Sequence, residues 1–296
     1  MPDARRSASG VLYAGGAFLI WGLGPVYWKA MQAVPATEII AHRVVWSFAF
    51  LAVLTLLQRR TAEFRSAFRP RILGILLVTS ILVSSNWLIY IWAIHHGYLL
   101  QASLGYYVTP LINVLLGVVF LKERLTRPQT IAVLLAFAAV TARTVSLGEF
   151  PWIALTLGFS FGLYGLIRKV APVSSLVGLT LETLLLTGPA VGYIGYLHHE
   201  GAAALFHVSG AMDALLIGTG VFTAVPLLFF NLGARRLHLS TVGLMQYIAP
   251  SCMFLLAVLA YGEPFSAAQA LVFVLIWAAL AMYSVDSIRA YRRTIA

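Results

Sequence analysis

Gln101-x-Ser-x-Gly-x-Tyr107-x-x-Pro110, followed by Glu123, returns later in the chain as Ser240-Thr-Val-Gly-x-x-x-Tyr247-x-x-Pro250, followed by Glu263. The two tyrosines, the two prolines and the two glutamates are each 140 residues apart, with no gap between them. The same offset pairs Trp21-Gly22 with Phe161-Gly162, Lys29 with Lys169 and Gln129 with Gln269. The chain therefore reads as a duplication, with one copy over residues 1–148 and a second over 149–296.

Each copy carries five apolar stretches long enough to cross a bilayer, which takes roughly 17 to 25 residues. They fall at Val11 to Trp28, Thr37 to Leu57, Ile72 to Ala93, Ala102 to Leu121 and Gln129 to Val145, then Trp152 to Ile167, Ser174 to Leu197, Ala214 to Leu232, Thr241 to Tyr261 and Ala267 to Val285. The composition agrees: 60% of the 296 residues are hydrophobic and 10% charged, where a soluble domain carries about 25% charge. Lipid is the solvent for most of these side chains. The expected fold is an all-α integral membrane protein of ten transmembrane helices. Five is an odd number, so the second copy enters the membrane from the opposite side, and the two form inverted repeats around a central cavity.

The net charge of +10 points to topology and away from nucleic acid, because Lys and Arg sit in short clusters between the apolar stretches. Assigned to alternate loops, 17 of them fall on one side, including Arg59, Arg60, Arg124, Arg168, Lys169, Arg235 and Arg236; Lys29 and Arg143 fall on the other, and Arg43 lies within a span. Short basic loops stay inside, so both termini are expected in the cytoplasm of a bacterial inner (plasma) membrane. The apolar stretch after Arg5 and Arg6 lacks a small-residue cleavage site and reads as a retained span. Cys252 is the single cysteine, so neither an internal disulfide nor a Cys-based metal motif can form. His198, His199 and His207 share an outer loop and read more readily as solvated than as metal ligands.

Polar residues inside the spans are the candidates for function, since an ionised group at mid-bilayer costs about 2.5 to 3.5 kcal/mol on insertion scales. Glu38, His42 and Trp46 recur every four residues on one face of the second span, with Arg43 beside the histidine. Two readings stand. Either Arg43 is an anion or carboxylate clamp and His42 a proton-binding group in the cavity, or Glu38 and Arg43 pair at a helix interface. Glu182, 140 residues after His42, is a proton carrier or the partner of Arg43. Asn86, Tyr90, Tyr106, Tyr107 and Asn113, with Gln246 and Tyr247 of the second copy, offer an amphipathic lining. Pro110 and Pro250 each remove a backbone hydrogen bond and are candidate hinges. Glu123 and Glu263 close their spans and read as structural.

Trp21-Gly-x-Gly-Pro-x-Tyr-Trp-Lys29, Glu38-x-x-x-His-Arg-x-x-Trp-Ser47, Asn86-Trp-x-x-Tyr-x-Trp92, Pro110-Leu-x-Asn-Val-Leu-Leu-Gly117, Ser160-Phe-Gly-x-Tyr-Gly-Leu-x-Arg-Lys169 and Thr223-Ala-x-Pro-Leu227 together resemble the RarD group of EamA-type transporters, in the drug/metabolite transporter superfamily. The resemblance covers nearly the whole chain. It implies two inverted EamA repeats and secondary export of small metabolites or drugs. The group's name, chloramphenicol-sensitivity protein, implies a phenotype and no substrate.

Without a phosphate-binding loop or a loop long enough for an ATPase domain, a primary pump is disfavoured. Without a constellation such as H-E-x-x-H, so is a membrane enzyme. The expected activity is secondary transport of a small organic solute by alternating access, with no cofactor or metal and with a proton as candidate coupling ion. A facilitative channel or a membrane receptor is the alternative.

Overall fold

Lipid offers no partner to an unpaired backbone group, so a chain this apolar must close its hydrogen bonds within helices. A computed structural model describes residues 2–95, 99–146, 150–260 and 267–295, and no strand occurs among them. The helices are α1 (Pro2–Gly22), α2 (Gly24–Lys29), α3 (Ala36–Leu57), α4 (Thr61–Ser66), α5 (Pro70–His95), α6 (Leu99–Leu121), α7 (Arg127–Ser146), α8 (Trp152–Val170), α9 (Ser175–His199), α10 (Gly210–Ala234), α11 (Leu239–Met245), α12 (Ile248–Leu255) and α13 (Ala267–Ile295). A π-helical turn, Leu256–Ala260, extends α12.

Among the described residues six helices are long and apolar enough to cross a membrane: Ser7–Lys29, Ala36–Leu57, Pro70–Tyr90, Trp152–Val170, Ser175–His199 and Gly210–Ala234. Four shorter apolar helices, Gly105–Leu121, Arg127–Ala142, Leu239–Leu255 and Ala270–Asp286, occupy the fourth and fifth places of each half. The stretch beginning at Trp152 continues as helix to Val170, past its expected end at Ile167.

The main packing pairs exchange with one another when each helix is replaced by its counterpart 140 residues away. Thus α1 against α10 matches α8 against α5, α3 against α10 matches α9 against α5, and α1 against α11 and α12 matches α8 against α6. The pairs α3 with α9, α6 with α11 and α7 with α13 map onto themselves. The correspondence holds at atomic contacts. A Cβ at Gly22 would lie 2.6 Å from the Cys252 Cβ, and one at Gly162 would lie 2.8 Å from Ile112 Cγ2; Gly22 and Gly162 are 140 residues apart, as are Ile112 and Cys252. Small residues at these crossings let helices approach where dispersion, rather than hydrophobicity, holds them.

The prolines of the repeat behave differently. Pro110 lies inside an unbroken α6, so it is not a break in its helix. In the second half the interruption falls at Gln246 and Tyr247, between α11 and α12. Pro250 is in the first turn of α12, where its missing N–H has no intrahelical partner to lose.

At one end of the bundle basic residues cap helices. Lys169 Nζ donates to the carbonyls of Ala234 and Leu237, and Arg235 Nη1 to those of Ala171 (3.0 Å) and Val173 (2.6 Å). Cations at helix C-termini meet the negative end of the backbone dipole. Glu123 does the converse for α11: its carboxylate accepts from the backbone N–H of Leu239 (2.6 Å) and Ser240 (2.9 Å) and from the Ser240 hydroxyl (2.7 Å). The sequence reading of Glu123 as structural agrees with this; Glu263 lies outside the described residues.

At the same end α4 is a strap between α3 and α5, and Glu63 Oε1 accepts the Ser174 N–H (3.2 Å) at the start of α9. Burial alone would raise the Glu63 pKa, but the Ser174 hydrogen bonds and the neighbouring Arg60 guanidinium outweigh it and hold it below the ordinary 4.5. A depressed carboxylate pKa gives stability that is present above the unfolded value and lost as the pH falls through the folded one. The wild type should therefore melt at a higher temperature than Glu63→Gln at neutral pH, with the gap closing in acid. A gap that persists unchanged in acid would show that the Glu63 charge does not hold the strap.

Candidate functional site

Five helices converge on Arg43. Its Nε donates to the buried Thr223 hydroxyl of α10 (2.9 Å), and its guanidinium lies over two indole rings, Trp28 of α2 at 4.9 Å and Trp87 of α5 at 4.3 Å. Tyr106 of α6 is close enough to act on it electrostatically, and the Tyr106 ring meets Tyr90 of α5 edge-on at 5.5 Å. All of these except Thr223 are half-buried. Among the described residues no carboxylate lies within 4 Å of Arg43; the ion pairs there are Arg60 with Glu63, Arg168 with Glu182 and the His42–Glu38 contact. A guanidinium against aromatic faces gains cation–π attraction, yet its forked N–H groups remain suited to a carboxylate or phosphate.

The Glu38–Arg43 pairing offered by the sequence is not formed. Arg43 and Glu38 are five residues apart and so project from different sides of α3. Glu38 instead approaches its own helical neighbour, Oε1 to His42 Nε2 at 3.7 Å, and accepts the Ala204 N–H of the α9–α10 connection at 2.7 Å. Both residues are buried, and Glu38 Oε2 and both His42 nitrogens have no hydrogen-bond partner. Glu38 thus ties α3 to the 202–208 segment. Beyond it the rings of His198 and His207 pack at 5.4 Å. Among the described residues no three His, Cys, Asp or Glu side chains are grouped to hold a metal ion.

Several expected lining residues are packing residues. Asn113 Nδ2 donates to Gln246 Oε1 (2.8 Å) and the Tyr247 hydroxyl to the Tyr107 carbonyl (2.9 Å), stitching α6 to the α11–α12 junction. A Cβ at Gly243 would lie 2.7 Å from the Pro110 oxygen, so only glycine allows this crossing. Asn86 clasps α8 through the Leu157 carbonyl and Ser160 hydroxyl, both at 2.9 Å. Trp46 sits beside Gly220, where α3 and α10 touch, and its indole N–H is buried without a partner. Of the expected residues, then, Arg43, Tyr90 and Tyr106 come together. Trp28, Trp87 and Thr223 complete the group; aromatic and hydroxyl residues facing a span's lone arginine were the available signal.

Glu182 does not reach Arg43. It pairs with Arg168 of α8, Nε to Oε1 at 3.4 Å, although Arg168 had been assigned to a loop by its charge. An apolar groove of about 790 Å³ lies between α1–α2 and α10, lined by Ile20, Tyr27, Gly218 and Phe222 among others. Phe222 meets Trp28 edge-on at 5.4 Å, so Trp28 stands between this groove and Arg43.

The EamA-like transporter family matches residues 8–143. Protein RarD of Escherichia coli is 42% identical over 293 residues, covering 99% of both chains. The chain belongs to the RarD group of the EamA family. Other members lie as near: the uncharacterized transporter YojE of Bacillus subtilis is 45% identical over 96% of both chains, and an uncharacterized transporter of Vibrio cholerae is 47% identical over 98% of this chain and 96% of its own. A solved crystal structure with a TM-score of 0.72 covers 96% of this chain and 99% of its own at 20% identity, which establishes a shared fold. As an EamA/RarD transporter with six long apolar helices, the chain is a multi-pass membrane protein whose cargo is a small solute.

Proposed function

We propose that this RarD-group protein is a secondary active exporter of small organic metabolites or drugs bearing an anionic group, working by alternating access in a bacterial inner membrane. The observation that carries the reading is Arg43: a half-buried guanidinium among Trp28, Trp87, Tyr106 and Thr223, with no carboxylate within 4 Å among the described residues. A positive charge held inside a bilayer without a counter-ion is costly, and a solute carboxylate offsets that cost. The aromatic faces suit the apolar body of the same solute.

The symmetry of the packing pairs supports ten spans arranged as two inverted repeats, with the shorter helices as the fourth and fifth spans of each. The basic residues that cap helices at one end support placing both termini in the cytoplasm. A proton or solute gradient would supply the driving force.

Counterflow in proteoliposomes tests the proposal. Vesicles loaded with unlabelled aromatic and aliphatic carboxylates or their amine counterparts are given labelled solute outside, with and without a pH gradient. Saturable uptake accelerated by internal carboxylate is expected. Conduction that neither saturates nor exchanges would identify a channel, and binding without flux would identify a receptor.

A further inference from the structure

The buried polar cluster around Glu182 has no place in the solute site. Glu182 lies two turns into α9 and is 2% exposed; Arg168 opposite is fully buried. The carboxylate accepts from the Thr79 hydroxyl of α5 at 2.5 Å and from the Tyr164 hydroxyl of α8 at 3.5 Å, and Tyr164 in turn accepts from Asn231 Nδ2 of α10 at 2.9 Å. Four helices meet here.

The ion pair is loose. Arg168 Nε is 3.4 Å from the carboxylate without hydrogen-bond geometry, and Nε and Nη1 both lack a hydrogen-bond partner. The bond Arg168 does make is from Nη2 to the Ser175 carbonyl at 3.1 Å, in the first turn of α9. A pair kept for stability would close its fork on the carboxylate.

The hydroxyls around Glu182 accommodate either charge state. Thr79 Oγ1 lies 3.0 Å from the Leu76 carbonyl as well as 2.5 Å from Glu182. When the carboxylate is charged, the Thr79 proton points to it. When a proton from water binds a Glu182 oxygen, the new O–H donates to Thr79 Oγ1, whose own hydrogen turns to Leu76. Neither hydroxyl loses a partner in the exchange, and Arg168 keeps Ser175. Buried sites normally allow one hydrogen-bond arrangement; this one has two.

We propose that Glu182 is a proton-binding site whose occupancy releases or engages Arg168. Through Arg168 the proton reaches the α8–α9 connection, where Arg235 holds the Ala171 and Val173 carbonyls and Glu63 holds Ser174. The charged or titratable groups facing Glu182 and its helix start are Arg168 and Tyr164 from α8, Arg235 from the end of α10 and Glu63 from α4. From α5 and α3 the groups bonded to this part of α9 are hydroxyls, Thr79 and Ser80 on Glu182 and Thr55 on Thr180. The repeat sharpens the assignment: Thr219 donates to Leu216 as Thr79 does to Leu76, both pairs 140 apart, but the residue answering to Glu182 is His42. The role of this proton as coupling ion rests on the transport reading above; the binding site itself does not.

The test is infrared difference spectroscopy of the full-length protein in lipid, without solute, between acid and alkaline buffers. Among the protonated-carboxyl bands that appear in acid, one should survive in Glu38→Gln and in Glu63→Gln and vanish in Glu182→Gln. Should Glu182→Gln fail to reconstitute, Glu182→Asp should keep the band at a shifted frequency. Acid bands identical to those of the wild type in either Glu182 variant, or no carboxyl band in the wild type, overturn the proposal. Because no solute is present, a failure of counterflow leaves this result unaffected.

Discussion

Arg43→Ala is expected to weaken the apparent affinity for an anionic solute by about 10- to 150-fold, while the protein still inserts and purifies as a monodisperse species. That range corresponds to about 1.5–3 kcal/mol for one hydrogen bond to a charged group. The guanidinium forms no ion pair among the described residues, so its removal breaks one bond to Thr223 and two ring contacts, and strands no carboxylate. A large loss of transport with little loss of stability is the signature of a residue kept for its ligand. Arg43→Lys keeps the charge but loses the planar fork and the stacking, and should fall between wild type and alanine. Half-saturation concentrations in the counterflow assay read all three. Equal values for wild type and alanine would remove Arg43 from solute binding.

Arg168→Leu should do the opposite in alkaline buffer, where Glu182 is charged: destabilise the fold by about 3–5 kcal/mol, the usual consequence of stripping a buried charge of its partner. Glu182 would keep only the Thr79 and Tyr164 hydroxyls for a charge buried among four helices. The double variant Arg168→Leu with Glu182→Leu should recover most of the loss, since an apolar pair of similar volume often replaces a buried ion pair at no net cost. Thr79 would still have the Leu76 carbonyl and Tyr164 the Asn231 amide. Thermal unfolding in detergent of the two single variants and the double one forms a cycle. A single Arg168→Leu variant as stable as wild type would mean that the pair contributes nothing to the fold.

The two arginines also mark how far the sequence could be read. The repeat offset and the approximate ends of most apolar stretches follow from hydropathy and punctuation; among the described residues six of the ten stretches are helices long and apolar enough to cross a membrane, and the other four are shorter. Arg43 was legible because a cation deep in an apolar run has few explanations. Arg168 was not: an Arg-Lys pair closing a span is also what a cytoplasmic boundary looks like. What buries it is supplied by another helix, in Gly178, where any Cβ would collide with the guanidinium, and in Glu182 one turn further on. A glycine and an acid four residues apart on one span are a trace of that pocket in the sequence, intelligible only once an opposing cation is in view. Asn113, Gln246 and Tyr247 illustrate the converse limit. Polar side chains in apolar helices serve helix contacts or solutes alike, and a single sequence does not say which neighbour each one faces.

The packing pairs also bear on how the protein is made. Most of the close partners of α1, α3, α5 and α6 are α8, α9, α10, α11 and α12, all synthesised after residue 148. The leading segments therefore leave the ribosome before their partners exist. Thr79 and Asn86 wait for Glu182, Leu157 and Ser160, and Gly22 for Cys252. During translation these faces must be covered by lipid or by the insertion machinery. Assembly is then a late event in which the trailing segments thread between the leading ones, and truncation near the midpoint leaves a fragment with spans but few of their native neighbours.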